Sequence, residues 1–332
     1  MRPVVETVPG DAAGDARPPE PLRASEAVLA AEVARRYYLA GESKVEIAGA
    51  TGISRFKVAR LLEAARTAGI VRIEIVEPEG VDGELSARLR RAYGLRRCVV
   101  VDRGDDAPRL RAHVGAAGAD LLVDLVGPDD VLGLPWARTV SAMLEARPTL
   151  PRVPVVQLSG SMVIPGETSP VDMVRVAAGL TGGEAHVFYA PLILDDAESA
   201  AAMRRQAAVA AAMAEVDRVS VAVVSIGAWR AGHSTIHDAV DPAVRTAVSD
   251  TGAVGEALGV FVDAEGRAVH PELVDRMVTI DAERLRAVPE VVALATGSTK
   301  AAAVRAFLLG GWVGSLVTDR SLATVLVRAA GA

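Results

Sequence analysis

The sequence predicts an α/β protein in two unequal parts, a small N-terminal winged helix-turn-helix followed by a large, Rossmann-like, doubly wound domain. Three observations carry that prediction. Residues 24 to 69 read as three short helices punctuated by Gly41, Gly52 and Gly69, the arrangement a helix-turn-helix requires. The run "IVRIEIV", residues 70 to 76, alternates at period two, as a wing strand does. Beyond residue 96, apolar strand-like runs alternate with helical ones, which is the pattern of a mostly parallel sheet with helices on both faces.

The totals fit two parts. A chain of 332 residues has room for one large domain and one small one. It is 51% hydrophobic but only 3% aromatic, so the core must be built mainly from Ala, Val and Leu. A net charge of −6 argues against a protein coated along its length by nucleic acid; any such contact must sit in a local basic patch. The single cysteine, Cys98, excludes an intrachain disulfide and a Cys-rich zinc site and suits a reducing compartment. No apolar run is long enough to span a membrane, and the N-terminus lacks the apolar segment of a signal peptide. Residues 1 to 23, rich in Pro, Gly, Ala and Asp, are expected to form a disordered leader on a soluble, cytoplasmic protein.

Along the small part, Val28, Leu29, Val33, Tyr37 and Tyr38 fall at helical spacing over residues 24 to 40. Ser43 with Glu46 three residues on makes a capping box for a second helix reaching about Ala50. Gly52 marks a turn, and Ser54 caps a third helix whose apolar face is Val58, Leu61, Leu62 and Ala65. The outward, N-terminal part of that helix then carries Ser54, Arg55, Phe56, Lys57 and Arg60, where a recognition helix meets base edges and phosphates. Residues 25 to 76 hold eight basic and six acidic side chains, a net +2 against −8 for the rest. An isolated basic helix is ordinarily a solvated surface. Here the cap, the glycine turn, the core spacing and the wing together favour double-stranded operator DNA as a partner, with Lys44 as a further contact. One such module gives little affinity alone, so a homo-oligomer, dimer or tetramer, is expected.

In the large part, residues 83 to 94 read as an amphipathic helix, expected to link the two parts (79 to 95), and the main domain spans 96 to 332. Strands are expected in "RRCVVVD", "DVLGL", "VPVVQLSG", "AHVFYAPLIL", "VSVAVVSIG", "VVALATG" and "GSLVTD". Helices are expected from about Ala137, through "SPVDMVRVAAGL", and along the Ala-rich run "AESAAAMRRQAAVAAAMAEV". There is no internal repeat.

The stretch "VARRYYLAGESKVEIAGATGISRFKVARLLEAARTAGIVRIEI" resembles the N-terminal domain of the SorC-type sugar-binding transcriptional regulators. Thr51, Phe56-Lys57 and Ala59 depart from that family's usual pattern and leave the operator sequence open. The likeness continues to the C-terminus through "GLPWART" (133 to 139), "VVQLSGSM" (155 to 162), "VSIGAW" (224 to 229), "GAVGEALGVFVDAEGR" (252 to 267) and the closing "VVALATGSTKAAAVRAFLLGGWVGSLVTDRSLATVLV". It implies an effector domain similar in fold to glucosamine-6-phosphate deaminase and ribose-5-phosphate isomerase, with a phosphorylated sugar as its ligand.

The residues agree in part. "ATGSTKAAAV" is a strand end, a small-residue turn and a helix start. Gly297, Ser298 and Lys300 there could hold a phosphate, although Ser298 could equally be a simple cap. Gly133 allows close backbone approach, and Arg138 and Thr139 suit an anionic or hydroxylated ligand. Trp136 reads as a sugar-stacking wall or as a packing residue. Gly160, Ser161 and Gly227 lie in glycine turns after strands. The resemblance places Glu256 where an acidic residue faces the effector's hydroxyls; read alone it is a loop carboxylate.

His233 and His237 stand at i, i+4, but Ser234 replaces the general-base Glu of a zinc protease and no third ligand follows. The loop with Ser234 and Thr235 is expected to rim the ligand pocket instead. No Gly-x-Ser-x-Gly elbow and no Gly-x-Gly-x-x-Gly after a strand occur, so a hydrolase triad and a nicotinamide site lack support. No cofactor and no metal are expected, and no catalysis, with a sugar-phosphate isomerase or deaminase carrying a DNA-binding appendage as the alternative.

Overall fold

The computed structural model describes residues 22–73, 79–103, 106–162 and 169–331. Its chain divides into two units, Met1–Val76 and Glu77–Ala332. In the smaller one, the helices are Ala24–Tyr38, Lys44–Thr51 and Arg55–Thr67. Ser43 Oγ accepts the Glu46 N–H at 3.3 Å, and the Glu46 carboxylate accepts the Ser43 N–H at 2.8 Å, so the capping box is complete. Those bonds hold the Glu46 carboxyl below its ordinary range. Gly52 closes the second helix at φ +68°, a left-handed conformation glycine adopts without strain. Ser54 Oγ then accepts the Lys57 N–H at 3.2 Å and starts the third helix.

Ala30, Val33, Ile47, Val58, Leu61, Leu62 and Ala65 close the core of this unit. The apolar face expected for the third helix is the one that is buried. The wing is not seen where it can be examined: residues 70–73 form a bend and irregular chain, and the rest of the alternating run lies outside the described residues.

Among the described residues of the larger unit, eleven strands form: β1 (Arg97–Val101), β2 (Leu132–Leu134), β3 (Val155–Gln157), β4 (Ala185–His186), β5 (Val221–Ser225), β6 (Gly227–Ala228), β7 (Gly255–Ala257), β8 (Val260–Val262), β9 (Ala268–Val269), β10 (Glu290–Ala295) and β11 (Ser315–Asp319). Seven of them make one sheet in the order β1-β11-β10-β5-β2-β3-β4, with every pairing parallel. Along β5, Val221 and Val223 point into one core cluster, and Ala222 and Val224 into the other. Both faces are therefore covered, as continuous apolar strands require. Within β1, burial pushes the Cys98 thiol up to about 12, which leaves it protonated and unreactive.

A second sheet, β6-β7-β8-β9, is antiparallel and includes strands within residues 252 to 267. Its β7–β8 turn sets both Leu258 (φ +56°) and Gly259 (φ +80°) in the left-handed region, the demand of a two-residue hairpin turn. Leucine there is strained.

Three further expectations change. The helix Gly83–Tyr93 is no free linker: Leu85 and Leu89 share a core with Leu322 and Leu326, and the Tyr93 hydroxyl donates to the Leu326 carbonyl at 2.9 Å. The strand expected over 185 to 194 keeps only two residues, because Phe188 turns into the core and Pro191 cannot donate to a ladder. The Ala-rich run breaks at Gln206 (ψ 131°) into Ala197–Arg205 and Ala207–Ala214. Arg204 anchors the first half on the Met277 carbonyl, while Val209, Ala212 and Met213 of the second enter the core.

Candidate functional site

From β5 the chain proceeds to β10 and β11 in one direction along the sheet, and from β2 to β3 and β4 in the other. Crevices beyond the carboxyl ends of strands form at such a switch point. A cavity of about 590 Å³ opens there. Its wall is laid down by the segments that leave β2 (Pro135 to Thr139), β5 (Ser225 to Gly227) and β10 (Thr296, Gly297, Thr299 and Lys300), together with Glu256 and Leu258 of the small sheet.

The helices Ala107–Leu125 and Arg138–Glu145 both begin at this cavity, which Ala107, Arg111, Arg138 and Thr139 line. Their N-terminal partial positive charge favours an anion. After β10, Gly297 adopts φ +87° and its N–H is donated to Asp319 Oδ2 at 2.6 Å. The buried Asp319 carboxylate also accepts the Ser321 and Leu322 amides that start the last helix. Asp319 thus clamps the turn that delivers Lys300 to the cavity.

The half-buried Lys300 ammonium donates to the Ile226 carbonyl at 3.0 Å. Burial lowers its pKa, with Arg111 and Arg138 adding to the fall and Glu256 opposing it. Glu256 is 7% exposed and accepts the Ser234 hydroxyl at 2.9 Å. Burial raises its pKa, while the Ser234 bond, Lys300 and the Gly259 N–H pull the other way. His233 contacts the Thr299 hydroxyl at 3.3 Å. Burial, Arg230 and Lys300 lower its pKa, with Asp238 opposing them. Arg111, Arg138 and Lys300 therefore give the cavity a basic side, and Glu256, Ser234 and Thr235 give it hydrogen-bonding groups beside that charge.

Of the expected ligand contacts, Trp136, Arg138, Thr139, Gly227, Glu256, Gly297 and Lys300 line this one cavity, as do Ser234 and Thr235. Trp136 also packs against one of the two large core clusters. Four others do not line it. A Cβ on Gly133 would meet Val219 Cγ1 at 2.8 Å and Leu158 Cδ2 at 2.9 Å, so that glycine serves packing on the sheet. At Gly160 a Cβ would strike the Pro191 carbonyl oxygen at 2.5 Å, and Ser161 exchanges backbone bonds with Ala190 and Leu192. Ser298 is exposed at the start of the turn. Arg111 went unrecognised because it sits mid-segment in "APRLRAHV" with no neighbouring motif.

In the small unit, Lys44, Ser54, Arg55, Phe56, Lys57 and Arg60 are all exposed. The Arg55 guanidinium lies 5.6 Å from the Phe56 ring centre, and the Lys44 ammonium 5.9 Å from that of Tyr37. The first turn of the third helix carries no acidic residue.

The family described as "Putative sugar-binding domain" matches residues 80–328. The chain belongs to the SorC-type sugar-binding transcriptional regulators. Among this SorC-type protein's relatives is the "Uncharacterized transcriptional regulator YjhU" of Escherichia coli K12, 28% identical over 312 residues, covering 88% of this chain and 92% of that protein. Another is the "Transcriptional regulator LsrR" of Klebsiella pneumoniae, 28% identical over 322 residues, with 93% and 95% covered. The full-length sorbitol operon regulator SorC of Klebsiella pneumoniae shares the fold, with a TM-score of 0.70, 24% identity and coverage of 92% and 100%. Among the described residues of the SorC-type chain, no helix is long and apolar enough to cross a membrane.

Proposed function

We propose that this chain binds operator DNA through residues 24 to 78 and that a phosphorylated sugar held by residues 96 to 332 controls the binding. The observation that carries the ligand reading is the meeting of Lys300, Arg111 and Arg138 with the buried Glu256–Ser234 pair around one cavity. A phosphate suits the cationic side and the two helix starts. Sugar hydroxyls suit Glu256, Ser234 and Thr235, with Trp136 as an apolar wall. In the DNA reading, Arg55, Lys57, Arg60 and Lys44 meet phosphates and base edges, and Ser54 holds the start of their helix. A homo-oligomer, dimer or tetramer, places two or more readers on paired half-sites. The ligand acts by favouring one arrangement of the readers, to the extent of its differential affinity for the arrangements.

A panel of phosphorylated and plain sugars, followed by melting temperature, tests the ligand reading. A phosphorylated member should raise the Tm of the natural protein. In Lys300→Ala the same shift should shrink by the worth of one charge-assisted contact, about 1.5–3 kcal/mol of binding. An undiminished shift in the variant would place the phosphate elsewhere. Turnover of a panel member would favour the isomerase or deaminase alternative, for which the opposed pKa shifts of Glu256 and Lys300 supply an acid–base pair.

A further inference from the structure

The third helix of the small unit buries Val58, Leu61, Leu62 and Ala65. At roughly 100° per residue, Phe56 and Arg60 then project from the side opposite the core. Phe56 is 79% exposed, the second residue of a helix fixed by the Ser54 cap behind it and the packed face beneath it. In the folded unit the Arg55 guanidinium lies 5.6 Å from the ring centre, and most of the ring faces solvent.

We propose that Phe56 reads thymine, by packing its ring on the C5 methyl group in the major groove. The proposal rests on the reading of this helix as the DNA-facing one. A phenyl ring neither donates nor accepts a hydrogen bond, so it cannot use the donor–acceptor pattern of base edges. The thymine methyl is the one apolar feature that the major groove offers such a side chain. The surroundings favour DNA over a protein partner as the occupant. Arg55, Lys57 and Arg60 are exposed within about one turn of Phe56, with Arg60 also 4.0 Å from Glu26, and the first helical turn has no acidic residue, a setting that suits a polyanion. The Arg55 guanidinium, 5.6 Å from the ring centre, puts a cation beside the phenyl group. The basic residues then supply affinity for any sequence, and Phe56 supplies a preference for T at one step of each half-site.

The test uses the full-length chain. Duplexes are enriched from a random-sequence pool, and each thymine of the best binder is replaced in turn by deoxyuridine, which removes only the methyl group. At one thymine per half-site the replacement should weaken binding about fourfold, the worth of one apolar carbon returned to water. In Phe56→Ala the same replacement should have no further effect, and Phe56→Leu should keep part of it. Because Phe56 is exposed, both variants should melt with the natural protein. Equal losses in natural and Phe56→Ala protein, or no methyl-sensitive thymine, would overturn the proposal while leaving DNA binding intact. Unchanged affinity of Phe56→Ala for every duplex would also overturn it and assign the ring to a protein contact. Failure to enrich any duplex would overturn both this proposal and the DNA reading on which it rests.

Discussion

Replacing Gly227 by alanine puts a methyl carbon 2.2 Å from Glu256 Oε1 and 3.0 Å from Ser234 Cβ. The glycine's own backbone conformation is open to alanine, so the whole effect is one of space. Glu256 has little room to yield: it is 7% exposed and held by the 2.9 Å bond from Ser234. Forcing a methyl into a filled site costs about 1–3 kcal/mol, and breaking the buried hydrogen bond costs a further ~1–3 kcal/mol. The two overlap, since moving the carboxyl relieves the clash, and a total near ~3 kcal/mol follows. For a unit of this size that lowers Tm by about 6–12 °C, read by calorimetry or thermal shift. A double-mutant cycle isolates the cause. In a Glu256→Ala background the new methyl has space, so Gly227→Ala should cost at least ~1 kcal/mol less there than in the natural protein. Additive costs, or an unchanged Tm in the single variant, would refute the packing of Gly227 against Glu256.

Two further predictions concern the same residues and the small unit. Burial raises the native pKa of Glu256, so between the ordinary carboxylate value and the raised one the folded chain holds more protons than the unfolded chain. Stability should therefore fall as pH rises through that window. Glu256→Gln should flatten the fall in Tm, and an identical pH profile in the variant would contradict the assignment. In the small unit, Ser54→Ala removes the acceptor for the Lys57 N–H and should cost ~1 kcal/mol. Amide exchange of the three helices should accelerate about fivefold with the large unit unchanged; equal protection in both proteins would deny the cap its role.

How far the sequence discloses this protein depends on whether the signal is local. Ser43, Glu46, Gly52, Ser54 and the Val58-Leu61-Leu62-Ala65 face act within a turn or two of their own positions, and all are found in the roles their spacing implies. The parallel sheet was legible because strands buried on both faces leave continuous Val-rich runs. What failed depends on distant partners. Gly133 and Gly160 look like ligand-approach glycines, yet the atoms that require them belong to Val219, Leu158 and Pro191. Gly297 looks like an anion-binding amide, but Asp319, far along the chain, takes its N–H. Arg111 lines the cavity because its helix starts where the segments leaving β2, β5 and β10 converge on it, a placement no spacing within residues 107 to 125 encodes.

If the proposed function holds, ligand in the cavity changes operator affinity. The decisive measurement is the Kd of the full-length chain for its enriched duplex, without ligand and with a saturating sugar phosphate that raises its Tm. Kd should move by about 5- to 150-fold, the usual range of coupling between two sites, and Lys300→Ala should keep the ligand-free Kd while needing at least ~10-fold more sugar phosphate for the same shift. A sugar phosphate that binds the cavity tightly and leaves Kd unchanged would contradict the proposed function.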